Sequence, residues 1–187
     1  MNYFHAIQNY EPVNAQETKD KEVILSLIDH HGEAILLRET AVAHVAVSAF
    51  VVNQQGNKAL FIHHNQMNKW AWAGGHADGN ADLLQVAINE VKEETGVVAT
   101  PVSTAIAALD ILPVDRHVKN GVYVNGHLHL DVAFLLVADD TQLLQMQVDE
   151  ISAAQWLSFD QLVTPMFSDR DVALYQKLVK RYQTWKG

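Results

Sequence analysis

Three glutamates, Glu90, Glu93 and Glu94, crowd the stretch NEVKEETG just ahead of Gly96. The surrounding spacing predicts a helix over Leu83–Thr95. Asp82 is a good N-cap, with Gln85 three residues on as in a capping box. Leu84, Ala87, Ile88 and Val91 fall on one apolar stripe that would face a core. Gly96 is the expected C-terminal stop. At about 100° per residue, the three carboxylates lie together on one flank of this helix. Each like-charge pair, 90/93 and 90/94, costs roughly 0.2–0.5 kcal/mol. The negative end of the helix dipole adds roughly 0.3–1 kcal/mol per carboxylate in the last turn. Lys92 gives no relief, because its helical neighbours are Ile88 and Gly96. A solvated acidic face leaves this cost unexplained, whereas a bound divalent cation removes it. Hard oxygen donors without cysteine favour Mg²⁺, with Mn²⁺ as the alternative, over Zn²⁺.

Other residue types could also do chemistry. The chain has ten histidines. In HLHLDV, His127, His129 and Asp131 alternate, so on a strand they share one face. Two imidazoles and a carboxylate can bind a metal. The favoured reading is a polar strand face lining a pocket, which makes His129 a candidate substrate contact. His76 follows Gly74 and Gly75, placed either to touch substrate or to brace its loop. His63 and His64 end a strand, and His30 and His31 end a helix; these read as surface or structural. Trp70 and Trp72 flank the glycine loop. Tryptophan more often packs in a core, but Trp70 is the candidate for stacking on a base. Arg38, Arg116 and Lys119 could clamp phosphates. Spacing singles out none of them, and lone surface charge is the safer reading; Arg116 is kept as a candidate substrate contact.

The elements that must position these groups follow from periodicity. Val23, Ile24, Leu27 and Ile28 have helical spacing within 15–30, and Gly32 is a plausible stop. Runs 43–53 and 58–64 are rich in β-branched and aromatic residues and read as strands joined by a hairpin loop at 54–57. KWAWAGGHADGNAD then reads as a glycine-punctuated loop. Strand-like runs return in VVATPV, AIAALDIL and 127–138, with a loop or hairpin at 115–126. Residues 156–163 read as a short turn of helix. A closing helix spans 169–185, with Val172, Leu174, Tyr175, Leu178, Val179 and Tyr182 inward. This pattern predicts a mixed sheet with helices on its faces, an α/β or α+β sandwich.

Composition sets outer bounds. The chain has 187 residues, 49% hydrophobic and 19% charged, enough for one self-sufficient core. It has no cysteine, so disulfides, thiolate metal sites and cysteine nucleophiles are excluded. The formal net charge of −9 argues against non-specific nucleic-acid binding. An acidic protein that takes an anionic substrate needs a cation between them. The N-terminus lacks the basic-then-apolar pattern of a signal peptide, and no apolar run approaches a membrane span. A cytoplasmic location is the expectation.

The stretch GGHADGNADLLQVAINEVKEETG resembles the Nudix box. That family's pattern is Gly, five residues, Glu, seven residues, Arg-Glu, an aliphatic, any residue, Glu-Glu, any residue, Gly and an aliphatic. Gly75, Glu90, Val91, Glu93, Glu94, Gly96 and Val97 match at the right spacing. The Gly-Gly-His-x-Asp-Gly opening, with His44, Ser48, Trp70 and HLHLDV, is similar to a subgroup of the family. Two positions depart: the family's first glutamate is Ala81 and the arginine before Glu90 is Asn89. In the family those two often form a supporting salt bridge. Losing both together avoids stranding a buried charge.

The resemblance implies a Nudix α/β/α sandwich over 41–187 with an N-terminal helical extension over 1–40. It implies Mg²⁺-dependent hydrolysis of a nucleoside-diphosphate-linked or related diphosphate compound. Glu90 and Glu94 would lead as metal ligands, with the Gly75 carbonyl beside them and Glu93 as a third ligand or base. A later acidic loop supplies the base in some members, and Asp149 and Glu150 are the candidates here. The departures at Ala81 and Asn89 leave a metal-dependent ligand sensor as an alternative. Isopentenyl diphosphate isomerase shares the fold, but it uses a catalytic cysteine that this chain lacks. Outside the family, the rival is a plain acidic interaction domain. Substrate identity is open, the specificity loops being roughly 65–72 and 113–126. A homodimer is compatible with the resemblance.

Overall fold

A computed structural model describes residues 3–65, 68–119, 121–146 and 151–186. The chain begins with α1 (Tyr3–Gln8) and α2 (Ala15–His31), followed by a 3₁₀ turn, Gly32–Leu36. Asn14 caps α2, its side chain accepting the Glu17 N–H, and Gly32 ends it with a positive φ. Then come β1 (Ala43–Asn53), β2 (Lys58–His64), β3 (Lys69–Ala71), β4 (Ala73–His76) and α3 (Leu83–Thr95). The second half holds β5 (Thr100–Pro101), β6 (Ala108–Val114), β7 (His117–Lys119), β8 (Val122–Val124), β9 (His127–Ala138), β10 (Ile151–Ser158) and α4 (Asp169–Lys186).

Eight of these strands form one mixed sheet ordered β10-β2-β1-β9-β5, with β3 beside β2, β4 beside β1 and β6 beside β9. β7 and β8 form a separate hairpin. β1 and β9 are parallel along their whole length, Ala43 facing Leu128 and Asn53 facing Ala138. All eleven residues of β1 are buried, as befits a central strand covered on both faces. Its side chains alternate between two cores. Val45, Val47, Ala49 and Val51 join Ile7 of α1, Ile24 and Ile28 of α2, and Val86, Ala87 and Val91 of α3. Phe50 and Val52 join Leu174, Tyr175, Leu178 and Tyr182 of α4. The result is the expected α/β/α sandwich. Among the described residues no helix is long and apolar enough to cross a membrane.

Some sequence expectations need correction. Residues 156–158 continue β10, paired with β2, and only Phe159–Gln161 form a 3₁₀ turn. Cross-strand pairing overrides the helix-forming residues of that stretch. The glycine-rich run after Lys69 is not all loop, since it holds β3 and β4. Of VVATPV, only Thr100–Pro101 is strand. In α3 the buried side centres on Leu83, Val86, Ala87 and Val91, while Leu84 and Ile88 are partly buried.

A buried ion network ties α2 and α4 to the edge strand β6. Lys177 Nζ lies 2.8 Å from Glu17 Oε1 and 2.8 Å from Asp110 Oδ1. The second Glu17 oxygen accepts Tyr10 O–H at 2.7 Å and Val13 N–H at 2.8 Å. Asp20 on α2 accepts the Ile111 N–H at 3.0 Å, which closes part of the free edge of β6. Burial pushes the Asp110 carboxyl up even with Lys177 beside it. Lys177→Met leaves two buried carboxylates facing each other without a cation. Removing one partner of such a network costs about 3–5 kcal/mol, and the loss will appear as a lower urea midpoint at neutral pH.

Candidate active site

The glutamate cluster is built where α3 crosses β4. Asp82 caps the helix, its Oδ1 accepting the Gln85 N–H at 3.2 Å, and Gly96 closes it in the left-handed conformation at φ 72. Burial of Leu83, Val86, Ala87 and Val91 in the core sets the rotation of the helix. Glu94 therefore turns inward and is only 4% exposed. Its Oε2 accepts the Gly74 N–H at 3.0 Å. Glu90, one turn earlier, lies over Gly75 so closely that a methyl group there would sit 2.5 Å from the carboxylate carbon. A methyl group on Gly74 would sit 2.5 Å from the Val47 carbonyl oxygen of β1. The two glycines thus let one backbone pass between β1 and the glutamates. Glu93 is exposed on the outer side of the helix, so Glu90 and Glu94 converge and Glu93 stands apart.

Ala81 and Asn89 sit on the exposed side of the loop and helix. Asn89 Oδ1 accepts from Gln85 Nε2 at 2.8 Å, a neutral hydrogen bond along the helix where a salt bridge could stand. Ala81 borders a cavity of about 340 Å³ with Glu33, Ala34, Leu36, Leu37 and Gly79.

A second cluster lies at the end of the same strands. β4 residues alternate, so His76 points to the sheet face opposite that of Gly75. The β1–β9 register sets His44 opposite His129. His76 Nε2 is 3.2 Å from His129 Nε2, and His127 Nε2 is 3.3 Å from it. The His44 ring lies 5.0 Å from that of His76, 4.8 Å from that of His127 and 5.1 Å from that of His129. Burial, then the neighbouring imidazoles, holds His129 down to about 3. Burial likewise lowers His44. Asp131, two residues on, accepts from Ser48 Oγ at 2.6 Å, and burial pushes it up to about 8.

Arg38 lies within electrostatic reach of both clusters. It grips Asp78 with two hydrogen bonds, Nε to Oδ1 at 2.7 Å and Nη2 to Oδ2. Its charge is felt by His44 and His129, and the Glu90 carboxylate acts on it in turn. Arg38 is therefore not the lone surface charge that spacing suggested. The arginine's partner was not visible in the sequence, and His44 entered there only through the family resemblance, not as part of a histidine cluster. The available signal was the alternation of HLHLD opposite a second strand carrying a histidine.

The remaining candidates are scattered. Trp70 is half-buried and packs edge-on against His63 at 5.3 Å. Trp72 is core, 9% exposed and packed edge-on against Tyr175 at 5.5 Å. Arg116 is exposed between β6 and β7. Lys119 is the last residue of β7. Asp149 and Glu150 lie outside the described residues.

Comparison with known proteins agrees with this architecture. The NUDIX domain model matches residues 42–178. A NUDIX-family hydrolase from Clostridium perfringens superposes with a TM-score of 0.53 at 20% identity, covering 73% of this chain and 96% of that one. A UDP-X diphosphatase gives 0.52 at 16% identity, covering 97% and 90%. The C. elegans Ap4A hydrolase gives 0.51 at 16% identity, covering 79% and 100%. No curated protein matches the chain. With the family model spanning most of the chain, and its glutamates gathered on one helix against a glycine strand, the protein belongs to the Nudix family of phosphoanhydride hydrolases.

Proposed function

We propose that the chain is a pyrophosphohydrolase that uses Mg²⁺, or Mn²⁺ in its place, to hydrolyse a nucleoside-diphosphate-linked compound. The convergence of Glu90 and Glu94 on the Gly74–Gly75 backbone carries this reading. Two carboxylates one turn apart, one of them buried, form a hard oxygen site with a net negative charge. A divalent cation matches that donor set. Glu90, Glu94 and the Gly75 carbonyl would hold it, with Glu93 as an outer ligand or base. Bound there, Mg²⁺ would screen the phosphate charge and lower the pKa of an attacking water.

The chain's own groups supply the rest. The Gly74 N–H fixes the Glu94 carboxylate, and the packing of α3 on β4 fixes Glu90. Water attacks one phosphorus, the bridging oxygen departs with the other phosphoryl group, and a carboxylate takes the proton of the water. Glu93 and Glu150 are the candidates for that base. His76, His129, Trp70 and Arg116 are the proposed substrate contacts. Likeness in fold to a UDP-X diphosphatase and an Ap4A hydrolase supports the nucleoside-diphosphate class. Residues 41–187 form the catalytic domain in this reading, with 1–40 as its helical extension. The neutral Gln85–Asn89 pair favours a second reading, a ligand sensor without turnover.

The deciding experiment is product release from ADP-ribose, dinucleoside polyphosphates, nucleotide sugars and nucleoside triphosphates, each with Mg²⁺, Mn²⁺ or chelator. Metal-dependent turnover of one class, reduced about 100-fold or more by Glu94→Gln, is the expected result. Metal-dependent thermal stabilisation by one ligand without turnover would instead establish the sensor. The two glycines give a further contrast. Gly75→Ala meets only the movable end of Glu90, so the protein folds but needs more Mg²⁺ for half-maximal rate. Gly74→Ala meets the rigid Val47 carbonyl and costs about 1–3 kcal/mol of stability, read from thermal melts in chelator.

A further inference from the structure

The histidine cluster on the other face of β4 has a geometry that hydrogen bonding does not explain. His44 Nδ1 lies 3.3 Å from the Thr40 carbonyl oxygen, and His127 Nδ1 lies 2.9 Å from that of Asn125. A carbonyl only accepts, so both rings carry a proton on Nδ1, and as neutral imidazoles they present the Nε2 lone pair to the cluster. His44 is 3% exposed, and its Nε2 has no hydrogen-bond partner among the described residues. Leaving such an acceptor dry is unfavourable. His129 Nε2 has two imidazole nitrogens within reach, at 3.2 and 3.3 Å. It carries at most one proton to share between them.

A cation resolves this arrangement. Two nitrogens, each 2.0–2.1 Å from one tetrahedral ion, are about 3.3 Å apart, which is the spacing of His129 Nε2 from the Nε2 atoms of His127 and His76. The ligand atoms of His44, His127 and His129 all lie within 4.8 Å of one another. Backbone carbonyls behind two of the rings orient them, as partners behind metal-binding histidines do. We propose that His44, His127 and His129 bind one first-row transition-metal ion of the Zn²⁺ type, with the fourth position open beside His76. An all-imidazole donor set selects such an ion over Mg²⁺. The site is separate from the glutamate pair, because Gly75 and His76 face opposite sides of β4. It joins the ends of β1, β4 and β9.

Chelator-stripped full-length protein is titrated with Zn²⁺, and separately with Co²⁺, against a chromogenic competitor. In Glu90→Gln, where the glutamate site is disabled, one ion per chain is still expected, with the intense visible absorption of tetrahedral Co²⁺ and the affinity that the same site has in the parent protein. His129→Ala and His127→Ala should each weaken the ion about 10-fold or more, with unchanged circular dichroism in chelator. Where His129→Ala does not fold, the half-exposed His127 decides. Failure to bind a stoichiometric ion overturns the site. So does an ion that is lost in Glu90→Gln and retained in His127→Ala. Neither result depends on whether a diphosphate is turned over.

Discussion

The structure depends on satisfying the backbone of β1 on both sides. This strand is buried at all eleven positions, where an unpaired N–H or C=O would be costly. β9 pairs with it in parallel along its full length, while β4 and β2 pair with successive parts of the opposite edge. That requirement brings three distant segments to one place. β4 carries Gly74, Gly75 and His76; β9 carries His127 and His129; β1 itself carries His44. The parallel pairing also separates the two cores, because alternate β1 side chains enter opposite layers.

The strand β4 divides two kinds of chemistry. On one side the missing side chain of Gly75 leaves room for the Glu90 carboxylate, and the Gly74 N–H holds that of Glu94. On the other, His76 joins three further imidazoles. The first set offers hard carboxylate oxygens and the second imidazole nitrogens, and such sets prefer different cations. Arg38, held by Asp78, adds positive charge near both. Placing Glu94 inside gives its carboxylate a backbone donor, although burial adds a desolvation cost. One carboxylate is neutralised in part by a backbone N–H, and another is stood off in solvent.

The replacement of the family's Glu–Arg pair by Ala81 and Asn89 changes little in the helix itself. Asp82 and Gly96 still cap it, and the Gln85–Asn89 hydrogen bond replaces an ion pair with a neutral contact. The helix is held chiefly by burial of Leu83, Val86, Ala87 and Val91, each apolar side chain larger than alanine contributing about 1.5–3 kcal/mol. A surface ion pair is worth about 1 kcal/mol or less. Packing therefore fixes the orientation of Glu90 and Glu94 without the lost pair.

The sequence by itself determined the glutamate helix, the strands at 43–53, 58–64 and 127–138, the closing helix and the sandwich they form. These rest on caps, turn residues and periodicity, all signals within a few neighbouring residues. It misread 156–158 and the glycine strand, where pairing with β2 and β1 overrides local preference. Only the tertiary structure decided that Glu94 is buried and Glu93 exposed, that Arg38 is held by Asp78, and that Lys177 joins Glu17 to Asp110. The same holds for the meeting of His44 with His129. Which residues face each other across paired strands depends on register, and register is set by the whole sheet and its two cores rather than by any single segment.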